Sequence, residues 1–261
     1  MWEDVMVLIA LSNKSVQRKQ AKLMGLVWAA LILAPLILVA FHPTKAPYLV
    51  AIYQQVLKTT DPEILPKGLR FSGTGAFIAP TLVLTAAHIL PHEDWEDDEY
   101  VREVVRKSKI QVLVKFKGQL YKAKVVIFPH DADIAVLKIM GAQATDYLPI
   151  AFKLPSAGTT LTIVSWRPLR DTPTPPLMPV IWDLTVDNPT LKRTWGVTKP
   201  IQEELIYGHP QAWLGASGSP ALLNGKVVGV VVGITPNNRT LIEPVWKIQP
   251  ALSALLASKL H

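Results

Sequence analysis

The chain has 261 residues, 49% of them hydrophobic and 18% charged, which is enough for one large β domain or two small ones and excludes a disordered chain. It has no cysteine, so a disulfide framework, a thiolate metal site and a thiol nucleophile are all excluded. The formal net charge of +7 is spread along the chain instead of forming one basic run, which points to solubility and some attraction to a membrane surface, and not to nucleic acid.

Residues 1–22 carry Lys14, Arg18, Lys19 and Lys22 ahead of residues 23–41, a run of 19 residues without a charge. As a helix at about 1.5 Å per residue, that run reaches roughly 28 Å, enough to cross the apolar layer of a bilayer. Only Lys45 and Lys58 follow closely, so the basic flank predicts a single-pass protein with its N-terminus in the cytoplasm and the rest outside. An uncleaved transmembrane anchor is the expectation, since Pro35 is tolerated in such a helix; a cleaved signal peptide is the competing reading. Residues 42–68, with Pro43, Pro47, Pro62 and Pro66, read as a linker, and residues 69–261 as the folded domain.

From there the pattern is short apolar runs divided by Gly, Pro and polar turns, the punctuation of an all-β domain. Residues 71–79 (FSGTGAFIA) and 82–85 (LVLT) predict two strands joined at Pro80-Thr81, with His88 just past the second. His88 and His92 are four apart, but Pro91 lies between them and a metalloprotease helix would need a glutamate that is missing, so no metal or other cofactor is expected. The acidic run Glu93, Asp94, Glu96, Asp97, Asp98 and Glu99 lacks calcium-loop spacing and reads as a solvated loop, with a basic segment after it. Residues 111–128 alternate apolar residues with lysines around Lys117-Gly118-Gln119, as in a hairpin with one wet face.

In residues 129–137 (PHDADIAVL) an acid directly precedes an apolar strand, where a carboxylate can be held partly buried and aimed at a histidine. Asp133 abuts the strand; Asp131 is the spare, read as a turn residue. Pro168, Pro173, Pro175, Pro176 and Pro179 mark a loop that borders a cleft or is a surface excursion. The hexapeptide 215–220 (GASGSP) then offers Ser217 on a turn of small residues, and residues 250–260 show helical spacing.

His88, Asp133 and Ser217 thus follow one another at strand borders, inside the words T-A-A-H, D-I-A-V-L and G-x-S-G-S-P. In this order and these words the chain resembles the trypsin/chymotrypsin-like serine peptidases; α/β hydrolases and subtilisins order the same residue types differently. Residues 110–138, the strand beginning at Gly225 and the L-I-E-P-V stretch from Leu241 are similar to the HtrA/Deg branch, and the likeness covers about residues 69–255. The resemblance implies two packed six-stranded antiparallel β-barrels with a C-terminal helix, the transmembrane helix preceding them. It implies a membrane-anchored serine endopeptidase acting on protein or peptide substrates through an acyl-enzyme. Ser217 would be the nucleophile, His88 the base and then acid, and Asp133 the orienting carboxylate, with the Gly215 and Ser217 amides as oxyanion hole. Gln211, Val231, Val232 and Ile234 would line the substrate pocket, and their lack of charge predicts a preference for small or medium apolar side chains.

The chain departs from that pattern at Ala216, where trypsin relatives carry an aspartate that pairs with a newly cleaved N-terminus. Activation by such an ion pair is not expected, and no PDZ module is expected to follow. A protease-like domain that binds a peptide or protein partner without turnover is the alternative reading.

Overall fold

The computed structural model describes residues 46–92, 98–129, 131–195 and 201–257. The segment 1–22, the apolar run 23–41, residues 42–45 of the linker and Glu93, Asp94, Glu96 and Asp97 of the acidic run lie outside the described residues, as does His130. Among the described residues, no helix is long and apolar enough to cross a membrane.

Two closed antiparallel barrels of six strands each make up the domain. The first is built from β1 (Leu49–Lys58), β2 (Gly68–Ala79), β3 (Leu82–Thr85), β4 (Lys109–Phe116), β5 (Gln119–Ile127) and β6 (Ala135–Ile139), and closes where β4 pairs with β1. The second takes β7 (Thr160–Pro168), β8 (Leu177–Trp195), β9 (Ile201–His209), β10 (Pro220–Leu223), β11 (Lys226–Ile234) and β12 (Thr240–Pro244), and closes where β10 pairs with β7. A 3₁₀ turn, Val245–Ile248, leads into the terminal helix, Gln249–Ala257.

The barrels follow from the apolar pattern. Phe77, Leu82 and Leu84 fill the first and Leu161, Ile163 and Leu184 the second, each fully buried and each worth roughly 1.5–3 kcal/mol of hydrophobic stabilisation. The first barrel's cluster continues without a break into Val164, Leu222, Val227 and Val230 of the second and on to Leu252 of the terminal helix. That shared core binds the barrels to one another as parts of a single compact unit. The expected hairpin is β4–β5, turned at Lys117 (φ 48°) and Gly118 (φ 82°), with Lys122 and Lys124 among exposed or half-buried residues of β5.

Two expectations change. The domain begins before residue 69, because β1 lies inside the stretch read as linker: prolines flank it, and its buried face (Val50, Ile52) is needed to close the first barrel. The end of the acidic run is helical, not loop. Asp98 caps a helix α1 (Glu99–Lys107) by accepting from the amides of Tyr100 and Val101, Glu99 sits in its first turn, and Arg106 and Lys107 sit in its last. Acid first and base last complements the helix dipole, and Glu99–Arg102 and Glu103–Lys107 pair along its length.

Candidate active site

Three strand borders converge where the barrels meet. His88 follows β3 by three residues, Asp133 precedes β6 by two, and Ser217 lies in the turn entering β10. β3 and β6 are neighbours, with Thr85 opposite Ala135, so the ladder itself sets His88 beside Asp133. His88 Nδ1 lies 2.6 Å from Asp133 Oδ2, and the His88 amide donates to Asp133 Oδ1 at 2.9 Å. Two contacts to one carboxylate fix both the ring and the backbone that carries it. His88 Nε2 is 3.0 Å from Ser217 Oγ. Asp133 is only 8% exposed whereas Asp131 is exposed, so the buried acid is the one aimed at the histidine.

The turn carrying Ser217 hangs on the first barrel through Thr74 of β2. The Thr74 amide donates to the Ser217 carbonyl at 2.8 Å and its hydroxyl to the Gly215 carbonyl at 3.3 Å. That hydroxyl also accepts from the Trp166 amide and lies 3.3 Å from Ser165 Oγ, while Thr85 Oγ1 donates to the Thr74 carbonyl at 2.7 Å. From the other side β11 grips the same turn: the Gly218 amide donates to the Val231 carbonyl, and the Val231 amide to the Ser219 carbonyl. Gly218 has φ +87°, and a Cβ there would stand 1.8 Å from the Thr74 carbonyl oxygen, so this crossing admits glycine alone. Thr74 and Ser165 escape sequence reasoning because each is a small polar residue in an apolar strand, and Thr85 is legible only as the first letter of T-A-A-H. The readable signal is a threonine between two glycines in residues 73–75.

The amides of Ala216, Gly218 and Ser219 are spent on backbone carbonyls, and among the described residues those of Gly215 and Ser217 meet no acceptor. Ala216 is fully buried in the second barrel's core with Leu161, Ile163 and Ala221. The position that carries a charge in trypsin relatives is therefore filled here by apolar packing.

A sequence model of the trypsin-like peptidase domain matches residues 73–233, the span that holds all three residues. The chain belongs to this family. As a member it is a serine peptidase, a hydrolase. Its fold is similar to that of the Rv3671c protease from M. tuberculosis in its active form, with a TM-score of 0.60 at 19% identity over 86% of this chain and 85% of that one. The same protease in its inactive form matches with a TM-score of 0.55 at 19% identity, over 86% of this chain and 94% of that one.

The residues expected to line the peptidase's substrate pocket differ in exposure. Gln211 is exposed on the loop after β9, and the Val231 side chain is fully buried in the second barrel's core, so it contributes only its backbone. Val232 is half-buried at a register shift in the β11–β12 ladder, and Ile234 is 40% exposed. Beside Gly215, a groove of about 600 Å³ is lined by Phe71, Arg167, Arg170, Trp213 and Leu214. The proline loop forms one wall of that groove through Pro168 and Pro175, and its Pro173 carbonyl accepts from the Phe71 amide at 2.7 Å. Of the two readings open for the loop, it is the one that borders a cleft.

Proposed function

We propose that the chain is a membrane-tethered serine endopeptidase in which Ser217, His88 and Asp133 form the catalytic triad. The observation that carries this is the unbroken line from Asp133 Oδ2 to His88 Nδ1 (2.6 Å) and from His88 Nε2 to Ser217 Oγ (3.0 Å). Asp133 holds the tautomer with the proton on Nδ1, which leaves Nε2 as the base facing the serine hydroxyl. As Ser217 Oγ attacks the scissile carbonyl, His88 takes its proton, and the Asp133 carboxylate stabilises the imidazolium that results. The carbonyl oxygen becomes an oxyanion served by the Gly215 and Ser217 amides. His88 then protonates the leaving amine, an acyl-enzyme remains on Ser217, and water attacks it by the same route in reverse. Each oxyanion donor is worth roughly 10²- to 10³-fold in rate in sites of this kind.

Substrate residues ahead of the scissile bond run beside Val232 and Ile234; Val232, at the register shift, has no partner in the β11–β12 ladder, while Ile234 pairs with Thr240. With no charge at these positions, small or medium apolar side chains are preferred. The anchor is residues 23–41, with the peptidase domain on the extracytoplasmic side; the charge asymmetry around that run supports this orientation.

A fluorophosphonate probe tests the triad. Labelling of the wild type that disappears in Ser217→Ala is the expected result, and a folded wild-type domain that takes no label would favour a peptide-binding domain without turnover. Carbonate extraction tests the anchor: release from the membrane fraction, or a mature N-terminus beyond Phe41, would refute it. Efficient cleavage after Arg in a peptide library would refute the apolar preference.

A further inference from the structure

Glu243 on β12 is fully buried, yet it is a carboxylate in a strand whose other residues are all buried as well. A charge withdrawn from water costs several kcal/mol unless it is paired and hydrogen-bonded, and an aliphatic residue would fill the same space at no such cost. Two contacts account for its presence. Lys247 Nζ, on the 3₁₀ turn one step along the chain, lies 2.5 Å from Glu243 Oε1. The other oxygen, Oε2, accepts from the backbone amide of Asp133 at 3.4 Å.

The second contact joins the two barrels at the residue that orients His88. Asp133 stands in the short bend before β6. Its side chain is committed twice to His88, so its aim depends on where its backbone is held. Its amide is held from the second barrel, by Glu243. The connected series runs from Lys247 through Glu243 to Asp133, His88 and Ser217, crossing from the second barrel to the first and back. Glu243 and Lys247 both lie beyond residues 73–233, the span matched to the family domain.

We infer that Glu243, charge-compensated by Lys247, is a positioning residue for the triad: it fixes the Asp133 backbone and makes alignment of His88 depend on docking of β12. The inference rests on the triad assignment above. Glu243 touches no substrate, so its loss lowers kcat and leaves KM unchanged, whereas a pair that served folding alone would move neither once the folded fraction is equal. A displacement of order 1 Å at the orienting acid costs roughly 10²-fold, so Glu243→Leu, which removes the acceptor of the Asp133 amide, is expected to lower kcat by about 10- to 100-fold.

Because Glu243→Leu leaves Lys247 as an uncompensated buried charge and can fail to fold, the deciding variant is the double substitution Glu243→Leu/Lys247→Met, which removes the acceptor of the Asp133 amide together with both charges. In folded protein it is expected to show the same fall in kcat, an unchanged KM and a slower fluorophosphonate reaction at Ser217. The low-field proton resonance of the His88–Asp133 hydrogen bond should broaden or move upfield. Wild-type kcat together with an unchanged resonance in the folded double variant would overturn the inference. The NMR signal does not need turnover, so it separates the two claims. If the wild type neither cleaves nor labels, the peptidase reading fails, while the effect of the double variant on the His88 proton still decides whether Glu243 positions Asp133.

Discussion

The Thr74 amide and the Ser217 carbonyl meet at 2.8 Å across the seam between the barrels, so the turn that carries Ser217 in one barrel takes its position from a strand of the other. The Thr74 hydroxyl reinforces the same crossing by donating to the Gly215 carbonyl and accepting from the Trp166 amide. Thr74→Val keeps the backbone bond and removes the hydroxyl, leaving buried polar groups unpaired at a cost of about 1–3 kcal/mol. Reduced thermal stability and a kcat lowered by about tenfold are expected, because loosening the Gly215 carbonyl lets the Gly215 and Ser217 amides, the proposed oxyanion donors, drift. Calorimetry and steady-state kinetics would check both, and wild-type values in each would show the hydroxyl to be dispensable.

Gly218→Ala tests the crossing more severely. The added carbon would stand 1.8 Å from the Thr74 carbonyl oxygen and 2.4 Å from Thr85 Oγ1, at a backbone φ of +87°. Backbone strain alone costs on the order of 1–3 kcal/mol, and the overlap can be relieved only by moving the serine turn off β2. The expected outcome is loss of probe labelling even in protein that remains folded by circular dichroism.

The legibility of this site in the sequence follows from the range of its contacts. His88, Asp133 and Ser217 were readable because each sits at the border of an apolar run inside a short word, and because the ladder pairing Thr85 with Ala135 brings two of those borders together. The barrels were readable from strand punctuation, except β1, whose flanking prolines gave it the look of linker. Thr74, Ser165 and Glu243 were not readable as parts of the site. Their partners lie 91 to 110 residues away for the Thr74–Ser165 and Asp133–Glu243 contacts, and no local pattern marks a polar residue for a distant strand. The exposure of the expected pocket residues was unreadable for a related reason: sequence offset does not say that the Val231 side chain faces the inside of the barrel while Gln211 faces outward.

Ala216 yields a prediction opposite to the family pattern. Its side chain is enclosed by Leu161, Ile163 and other residues of the second barrel's core, and its amide already donates to the Trp213 carbonyl at 3.0 Å. Ala216→Asp, which restores the residue found in trypsin relatives, would bury an uncompensated carboxylate. A cost of about 3–5 kcal/mol translates into a fall in Tm on the order of 10 °C for a domain of this size. An aspartate tolerated without loss of Tm would reveal a cation within reach of this site.

Away from the site, the Tyr100 hydroxyl donates to Asp61 Oδ2 at 2.7 Å and ties helix α1 to the turn after β1. That bond first, with the Glu63 and Ile64 amides, holds the Asp61 carboxyl below its ordinary range; the same bond, with the carboxylate charge, pushes the Tyr100 hydroxyl up. A carboxyl with a lowered folded-state pKa contributes stability that is present above its unfolded value of about 3.9 and is lost as pH falls through the folded value. For the raised tyrosine, the contribution is complete below about 10 and is lost as pH rises through the folded value. Both groups are solvent-exposed, so the effect is read at the residue and not from global stability. In Tyr100→Phe the Asp61 titration, followed by carbon NMR, moves up toward the ordinary range, and an unchanged titration would show the bond to be absent in solution.

Asp133→Asn separates the carboxylate's chemistry from its packing. Asparagine fills the same volume and can still accept from the His88 amide, so the fold and KM should persist. What changes is the contact at His88 Nδ1, 2.6 Å away in the wild type. An amide NH₂ turned toward that nitrogen favours the tautomer with its proton on Nε2, facing Ser217 Oγ, where a base is needed. An amide oxygen in its place supplies no charge to stabilise the imidazolium. In serine peptidases with this arrangement the corresponding change lowers kcat by about 10⁴-fold, and a loss of that order is expected here at neutral pH with Tm nearly unchanged. A variant within about tenfold of wild type would mean that another group orients His88. Asp131, exposed in the same bend, is the residue to substitute next.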